Sequence, residues 1–255
     1  MGRGDLLRRI DAELFDEHPP GADRFGLLLT VTFATVVVLS LVDLRPADSP
    51  VGAAAGRVVV SLAVGLMVVL GARASGVARR WQRLIAVVAG IAVVAAIGLL
   101  VGEIATDRAV DGSQPVGPSP LWMLLAVCVP VMVVRRVVRH ERVGVGTLMG
   151  AVSAYLMIAI TFAFGFLTVD VAQPADFFGE PAPTTRFMYF SLTSITTLGY
   201  GDLTAATDLG GLLATTEAAT GQIFLVILVA ALVSRFTARP RGREGTRGGG
   251  APRGD

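Results

Sequence analysis

The chain has no lysine; all 22 of its basic residues are arginine, a set that fits a GC-rich bacterial genome. It has one cysteine and two histidines, and only 16% of its 255 residues are charged. Each scarcity removes a class of function. The lone Cys128 sits in an apolar run, where it reads as a packing residue; it rules out an intrachain disulfide and says nothing of compartment. His18 and His140 lie far apart in polar segments without metal-ligand spacing, so no histidine metal centre is expected. The paired Asp16 and Glu17 belong to a charged terminal face, and the hydroxyls of Thr184, Thr185 and the stretch Ser191 to Thr197 have no base near them in sequence. We expect no enzyme, no cofactor and no nucleic-acid partner.

What is present is apolar. Hydrophobic residues make up 53% of the chain and the mean hydropathy is +0.66, the values of an all-α integral membrane protein. Six apolar stretches cover roughly 26–44, 57–73, 82–102, 118–134, 145–169 and 210–234, and each approaches the ~20 residues that cross a bilayer. The fourth is the shortest and holds Pro130, which predicts a kinked or supported helix. The start lacks an early apolar core, so no cleavable leader is expected; residues 4–17 read either as an amphipathic helix on the membrane face or as a solvated segment. The end, 237–255, is Arg, Gly and Pro with no core-forming pattern; it reads as a disordered tail, with no soluble ligand-binding domain expected behind it.

Arginine placement orients this scheme. With the first residues inside, Arg3, Arg8, Arg9 and Arg24 are cytoplasmic, as are Arg73, Arg79, Arg80 and Arg83 after the second stretch. Arg135, Arg136, Arg139 and Arg142 follow the fourth, and the arginines from Arg235 onward follow the last. Arg45, Arg57, Arg108 and Arg186 alone fall outside. That imbalance satisfies the positive-inside rule, with both termini cytoplasmic. The outer loops carry acids instead, among them Asp43, Asp48, Glu103, Asp107, Asp111, Asp170, Asp176 and Glu180, which favour cations.

Between the fifth and sixth stretches lies the run Thr196-Thr197-Leu198-Gly199-Tyr200-Gly201-Asp202. Backbone that is neither helix nor barrel survives at membrane depth only where protein buries it or where it lines a watery path. Glycine at alternate positions permits the backbone angles that aim successive carbonyls the same way. Carbonyls so aimed suit a dehydrated cation. The run resembles the selectivity filter of potassium channels, and the resemblance extends over roughly 145–236. It implies an outer helix 145–169, a re-entrant pore helix 185–196, a filter 197–202 and an inner helix 210–236, behind a four-helix domain 26–134 and a cytoplasmic segment 1–25. It further implies a homotetramer, because one chain supplies one loop. The carbonyls of Thr197, Leu198, Gly199 and Tyr200, with the Thr197 hydroxyl, would bind K⁺ as the permeant ion, and Gly201 would complete the loop. By the same resemblance Tyr200 faces away and braces the loop, Asp202 anchors its outer end with Thr196 at the inner end, and Tyr189 and Phe190 form an aromatic cuff. Gly221, twenty residues beyond Gly201, matches the hinge glycine of the family's inner helix; close helix packing is the other reading.

There are departures from the family pattern. Leu198 stands where Val or Ile is commoner, and Thr193 where some relatives carry a buried carboxylate. Glu217 instead lies in the outer half of the inner helix. An acid inside a span is costly and marks a specific partner; we expect it to meet pore-helix hydroxyls such as Thr193 or Ser194, or else to reach the outer water boundary. Gln222 is expected to face the central cavity and hydrate the ion. A voltage sensor needs arginines inside the fourth span, yet residues 120–134 carry no charge and Arg135, Arg139 and Arg142 begin where the stretch ends.

The expected function is therefore passive K⁺-selective conduction across a bacterial plasma membrane, without steep voltage dependence. The alternatives are a nonselective cation channel of the same architecture, a potassium transporter subunit, and a non-conducting membrane sensor. For the gating stimulus the candidates are pH, lipid, stretch, filter inactivation or a regulatory subunit.

Overall fold

The structure is a computed structural model that describes residues 23–41, 50–106, 127–135 and 145–237. The 4–17 segment, the tail beyond 237, His18, His140 and most of the expected fourth span lie outside the described residues. The described chain is helical: α1 Asp23–Leu41, α2 Pro50–Ala74, α3 Arg79–Thr106, α4 127–135, α5 Val145–Ala172, α6 Thr184–Ile195 and α7 Asp208–Thr237.

Three of these contain stretches long and apolar enough to cross a membrane: Arg79–Gly98, Val145–Ala172 and Asp208–Ala231. Phe25–Leu41 and Val58–Ala74 are shorter apolar helices. The α5 span is 61% buried within the chain, whereas the α3 and α7 spans are 11% buried. Helix α5 is thus the central post, and α3 and α7 turn apolar surface outward. The reason is visible in composition. The buried face of α5 is rich in small residues (Gly150, Ala151, Ser153, Ala154, Ala159, Ala163 and Gly165), which let neighbouring backbones come close.

Helix α1 packs on α2, α5 and α6; α2 pairs with α3; and α5, α6 and α7 pack on one another. The first helix therefore touches the short α6 directly. Several hydroxyls within the helices are satisfied by the backbone: Thr30, Ser153, Thr161, Thr168 and Thr220 each donate to the carbonyl four residues back. Thr35 Oγ1 does the same at 2.8 Å and lies 3.3 Å from Ala63 O on α2.

One glycine sets the junction of four helices. A Cβ at Gly71 would lie 2.4 Å from Val129 Cγ1 and 3.2 Å from the Met157 methyl, with Leu28 at 3.9 Å. Val129 and Leu28 are fully buried, and Met157 is nearly so. The segment around Pro130 is thus seated against α2, as the expectation of a supported helix requires.

The loop between α5 and α6 is closed by aromatics. Phe177 is fully buried, with ring centroids 5.1 Å from Phe166, 5.7 Å from Phe187 and 5.8 Å from Phe190. Its backbone is held at both ends: its N–H donates to Asp170 Oδ1 at 2.8 Å, and its carbonyl accepts from Ala206 N–H at 2.8 Å. Asp170, an outer-loop acid in the sequence scheme, therefore caps a turn. The Glu180–Arg186 pair at 2.6 Å is exposed on both sides and contributes little.

Gly71→Ala is expected to force α2 and α4 apart and destabilise the protein by about 1–3 kcal/mol. Thermal unfolding of the purified protein in detergent measures it; an unchanged melting temperature contradicts the four-helix junction.

Candidate functional site, a glycine loop at the end of a short helix

Helix α6 has 12 residues, about 18 Å at the α-helical rise, against about 30 Å of hydrocarbon. It cannot cross a bilayer. Pro183 opens it with φ −70° and ψ 158°, a conformation that proline holds without strain. It ends at Ile195 with Thr196 as its C-cap, and the chain reverses at Thr197, whose φ is +56°.

A helix that stops inside protein leaves its last carbonyls without partners. Here each has one. Thr193 O accepts from Gly199 N–H at 3.2 Å and Ser194 O from Thr197 N–H at 2.9 Å. Ile195 O accepts from the Tyr155 hydroxyl of α5 at 2.8 Å, and Thr196 O accepts from the Thr197 hydroxyl at 2.7 Å. Thr196 itself donates its hydroxyl to Leu192 O at 2.6 Å. The loop beyond is built by alternation. Thr197, Gly199 and Gly201 have φ of 56°, 52° and 79°, while Leu198 and Tyr200 between them stay out of the positive-φ region. Alternating handedness turns successive peptide groups toward a common side, the geometry by which a loop concentrates like-oriented backbone dipoles.

Around the loop, α6 is tied on three sides. Ser191 Oγ is 2.7 Å from Ala159 O on α5 and 2.5 Å from Glu217 Oε1 on α7. Among the α6 hydroxyls expected to meet Glu217 the partner is Ser191, two and three residues before Thr193 and Ser194, while Thr193 donates to Phe190 O at 3.0 Å. The helical repeat explains the difference, because Ser191 shares the α7-facing side with Ile195. Glu217 is fully buried rather than at a water boundary, and its Oε2 has no hydrogen-bond partner among the described residues.

Gly221 packs against the end of α6. A Cβ there would lie 2.6 Å from Ile195 O and 2.7 Å from Ile195 Cγ1, so this position is a close approach, the packing alternative raised from the sequence. Gln222 reaches the loop: it is exposed in the single chain, and its Nε2 donates to Thr197 Oγ1 at 3.1 Å. At the outer end the Tyr189 hydroxyl donates to Asp202 Oδ2 at 2.9 Å, and the Tyr189 and Tyr200 rings stack at 6.5 Å, 8° from parallel. Phe190 turns the other way, 5.2 Å from Phe166 and 5.4 Å from Phe178, into the cluster behind α6 rather than a cuff beside the loop.

Sequence reasoning missed Tyr155 and Ser191. A signal for Tyr155 existed, since a phenol inside an apolar helix needs a partner. All three tyrosines of the chain converge on α6 and its loop.

Residues 151–238 match the model of a protein family described as "Ion channel", about a third of the 255-residue chain. The match takes in most of α5 and all of α6, the glycine loop and α7. No curated protein and no solved structure matches the chain. The described residues are helical and combine a stretch similar to that family with three candidate membrane spans, the make-up of a membrane protein.

Glu217→Ala removes the tie from α7 to α6 and leaves a cavity beside Ser191. The expected loss is about 2 kcal/mol or more, read as a lower melting temperature of the purified protein. A melting temperature equal to the wild type contradicts the three-sided seating of α6.

Proposed function

We propose that four copies of this chain form a potassium-selective channel in a bacterial plasma membrane, with the loop 197–202 as its filter and both termini cytoplasmic. One observation carries the reading: positive φ at every second residue, Thr197, Gly199 and Gly201. In this proposal the carbonyls of Thr197, Leu198, Gly199 and Tyr200, with the Thr197 hydroxyl, replace the water around K⁺. Gly201 ends the stack and Asp202, held by Tyr189, fixes its outer rim.

The loop's surroundings favour several copies. Leu198 and Tyr200 are 59% and 68% exposed in a single chain. Apolar and aromatic side chains beside a non-helical loop need protein around them at membrane depth, and neighbouring copies supply it. Helix α6 aims its C-terminal end, the negative end of its dipole, at the inner side of the loop, which favours a cation. The permeant ion is the cargo, and no catalytic role is assigned to any residue.

Liposomes containing the protein, under opposed K⁺ and Na⁺ gradients, test this. K⁺ flux that exceeds Na⁺ flux is expected, together with its loss in Gly199→Ala. A Cβ at Gly199 meets nothing within 4 Å in one chain, so the expected loss comes from its φ of +52°. Equal K⁺ and Na⁺ fluxes would favour the nonselective alternative.

Voltage dependence is expected to be shallow. Moving one charge through the field yields about 2.3 kcal/mol per 100 mV, and 127–134 carry no charge to move, with Arg135 closing the described helix. Conductance measured across the voltage range in planar bilayers checks it; a steep sigmoid contradicts it.

A further inference from the structure

Among the described residues Thr197 alone combines a side chain with positive φ. A β-branched residue in the left-handed region is a strained outlier, and such residues persist only where the surroundings over-determine them. Two of the contacts that hold Thr197 are local: its N–H donates to Ser194 O at 2.9 Å and its hydroxyl to Thr196 O at 2.7 Å. The third comes from another element, 25 residues away. Gln222 Nε2 on α7 donates to Thr197 Oγ1 at 3.1 Å.

Proton counting fixes the direction of that third bond. A threonine hydroxyl has one hydrogen, and here it serves Thr196 O, the last otherwise open carbonyl at the end of α6. Toward Gln222 the oxygen can only accept, which settles which end of the amide faces it. One of its two lone pairs is then used by Gln222 and the other is left for an ion.

The neighbouring residue makes the bond rigid. Gly221 seats α7 directly on the Ile195 carbonyl. Two successive residues of α7 therefore grip the last residue of α6 and the first of the loop. A ligand held from a packed helix is positioned better than one held from its own loop.

We propose that Gln222 is a positioning residue for the innermost cation site: its amide holds Thr197 in the left-handed conformation that presents the Thr197 hydroxyl and carbonyl oxygens to the ion. This rests on the channel reading and deepens it. The ligand class is a dehydrated cation of about the radius of K⁺, for which Ba²⁺ is a divalent probe. An amide that merely hydrates an ion in the cavity would act whether or not Thr197 has a hydroxyl, and this separates the two roles.

The test is a double-mutant cycle on the full chain, purified in detergent and titrated with Ba²⁺ by calorimetry. Gln222→Leu keeps the bulk of the side chain and removes the donor. It is expected to weaken Ba²⁺ binding about tenfold. In a Thr197→Val background, which already lacks the hydroxyl, the same change is expected to cost less than about twofold. Equal losses in the two backgrounds, no loss, or no Ba²⁺ binding by the wild type overturns the proposal. If Gln222→Leu does not yield folded protein, Gln222→Asn, one methylene shorter, runs the same cycle. The readout does not use flux. A wild type that binds Ba²⁺ with the expected coupling but does not prefer K⁺ in liposomes defeats the channel reading alone. Additive losses in a K⁺-selective protein defeat the Gln222 proposal alone.

Discussion

A helix that stops partway through an apolar layer leaves its final carbonyls facing no water, and the architecture around α6 is organised by the need to satisfy them. Four successive acceptors, from Thr193 to Thr196, take four donors: two backbone N–H groups of the loop, the Thr197 hydroxyl and the Tyr155 hydroxyl. Only one donor comes from another element. The loop thus closes its own helix end, and by doing so it is forced into the left-handed turn at Thr197. The alternating φ values that follow, at Gly199 and Gly201, extend the same reversal. Helix termination and the loop's carbonyl geometry are one structural event.

The surrounding helices make this event rigid. Helix α6 is held by α1, α5 and α7. Two of those contacts are specific rather than merely apolar: Ser191 lies between Ala159 O and Glu217, and Ile195 between Tyr155 and Gly221. A carboxyl buried this deeply is affordable only where it has a fixed partner, so Glu217 tells us where α7 must lie. The contact of α1 with α6 gives the first helices a structural place beside the loop. They are not an appended unit, and the glycine junction at Gly71 joins them to α5 through Met157 and to α4 through Val129.

Much of the local structure was legible in the residues. A 12-residue stretch opened by Pro183, too short to cross and followed by a double-glycine run, reads as a helix that dips and returns. It was expected over 185–196 and runs Thr184–Ile195. The inner helix, expected over 210–236, runs Asp208–Thr237. The partners of the polar side chains were less legible. Glu217 meets an α6 hydroxyl, as its burial in a span demands, but the one it meets is Ser191 rather than Thr193 or Ser194; Gln222 bonds Thr197; and Phe190 packs behind α6. In each case the particular partner depends on helix rotation. Sequence spacing tells which residues share a face, but not which face of one helix meets which face of another.

The sequence by itself determined where helices could form, where they had to stop, and that an unpaired glycine loop must sit among apolar spans, because these follow from side-chain chemistry and backbone sterics over a few neighbouring residues. Tertiary structure alone decided that Gly221 is needed for contact with Ile195, that Tyr155 completes a helix end forty residues away, and that Gln222 reaches a threonine twenty-five residues before it. Those facts depend on how helices rotate and approach when packed. That choice is made by the summed fit of many small side chains, and no short stretch of sequence contains it.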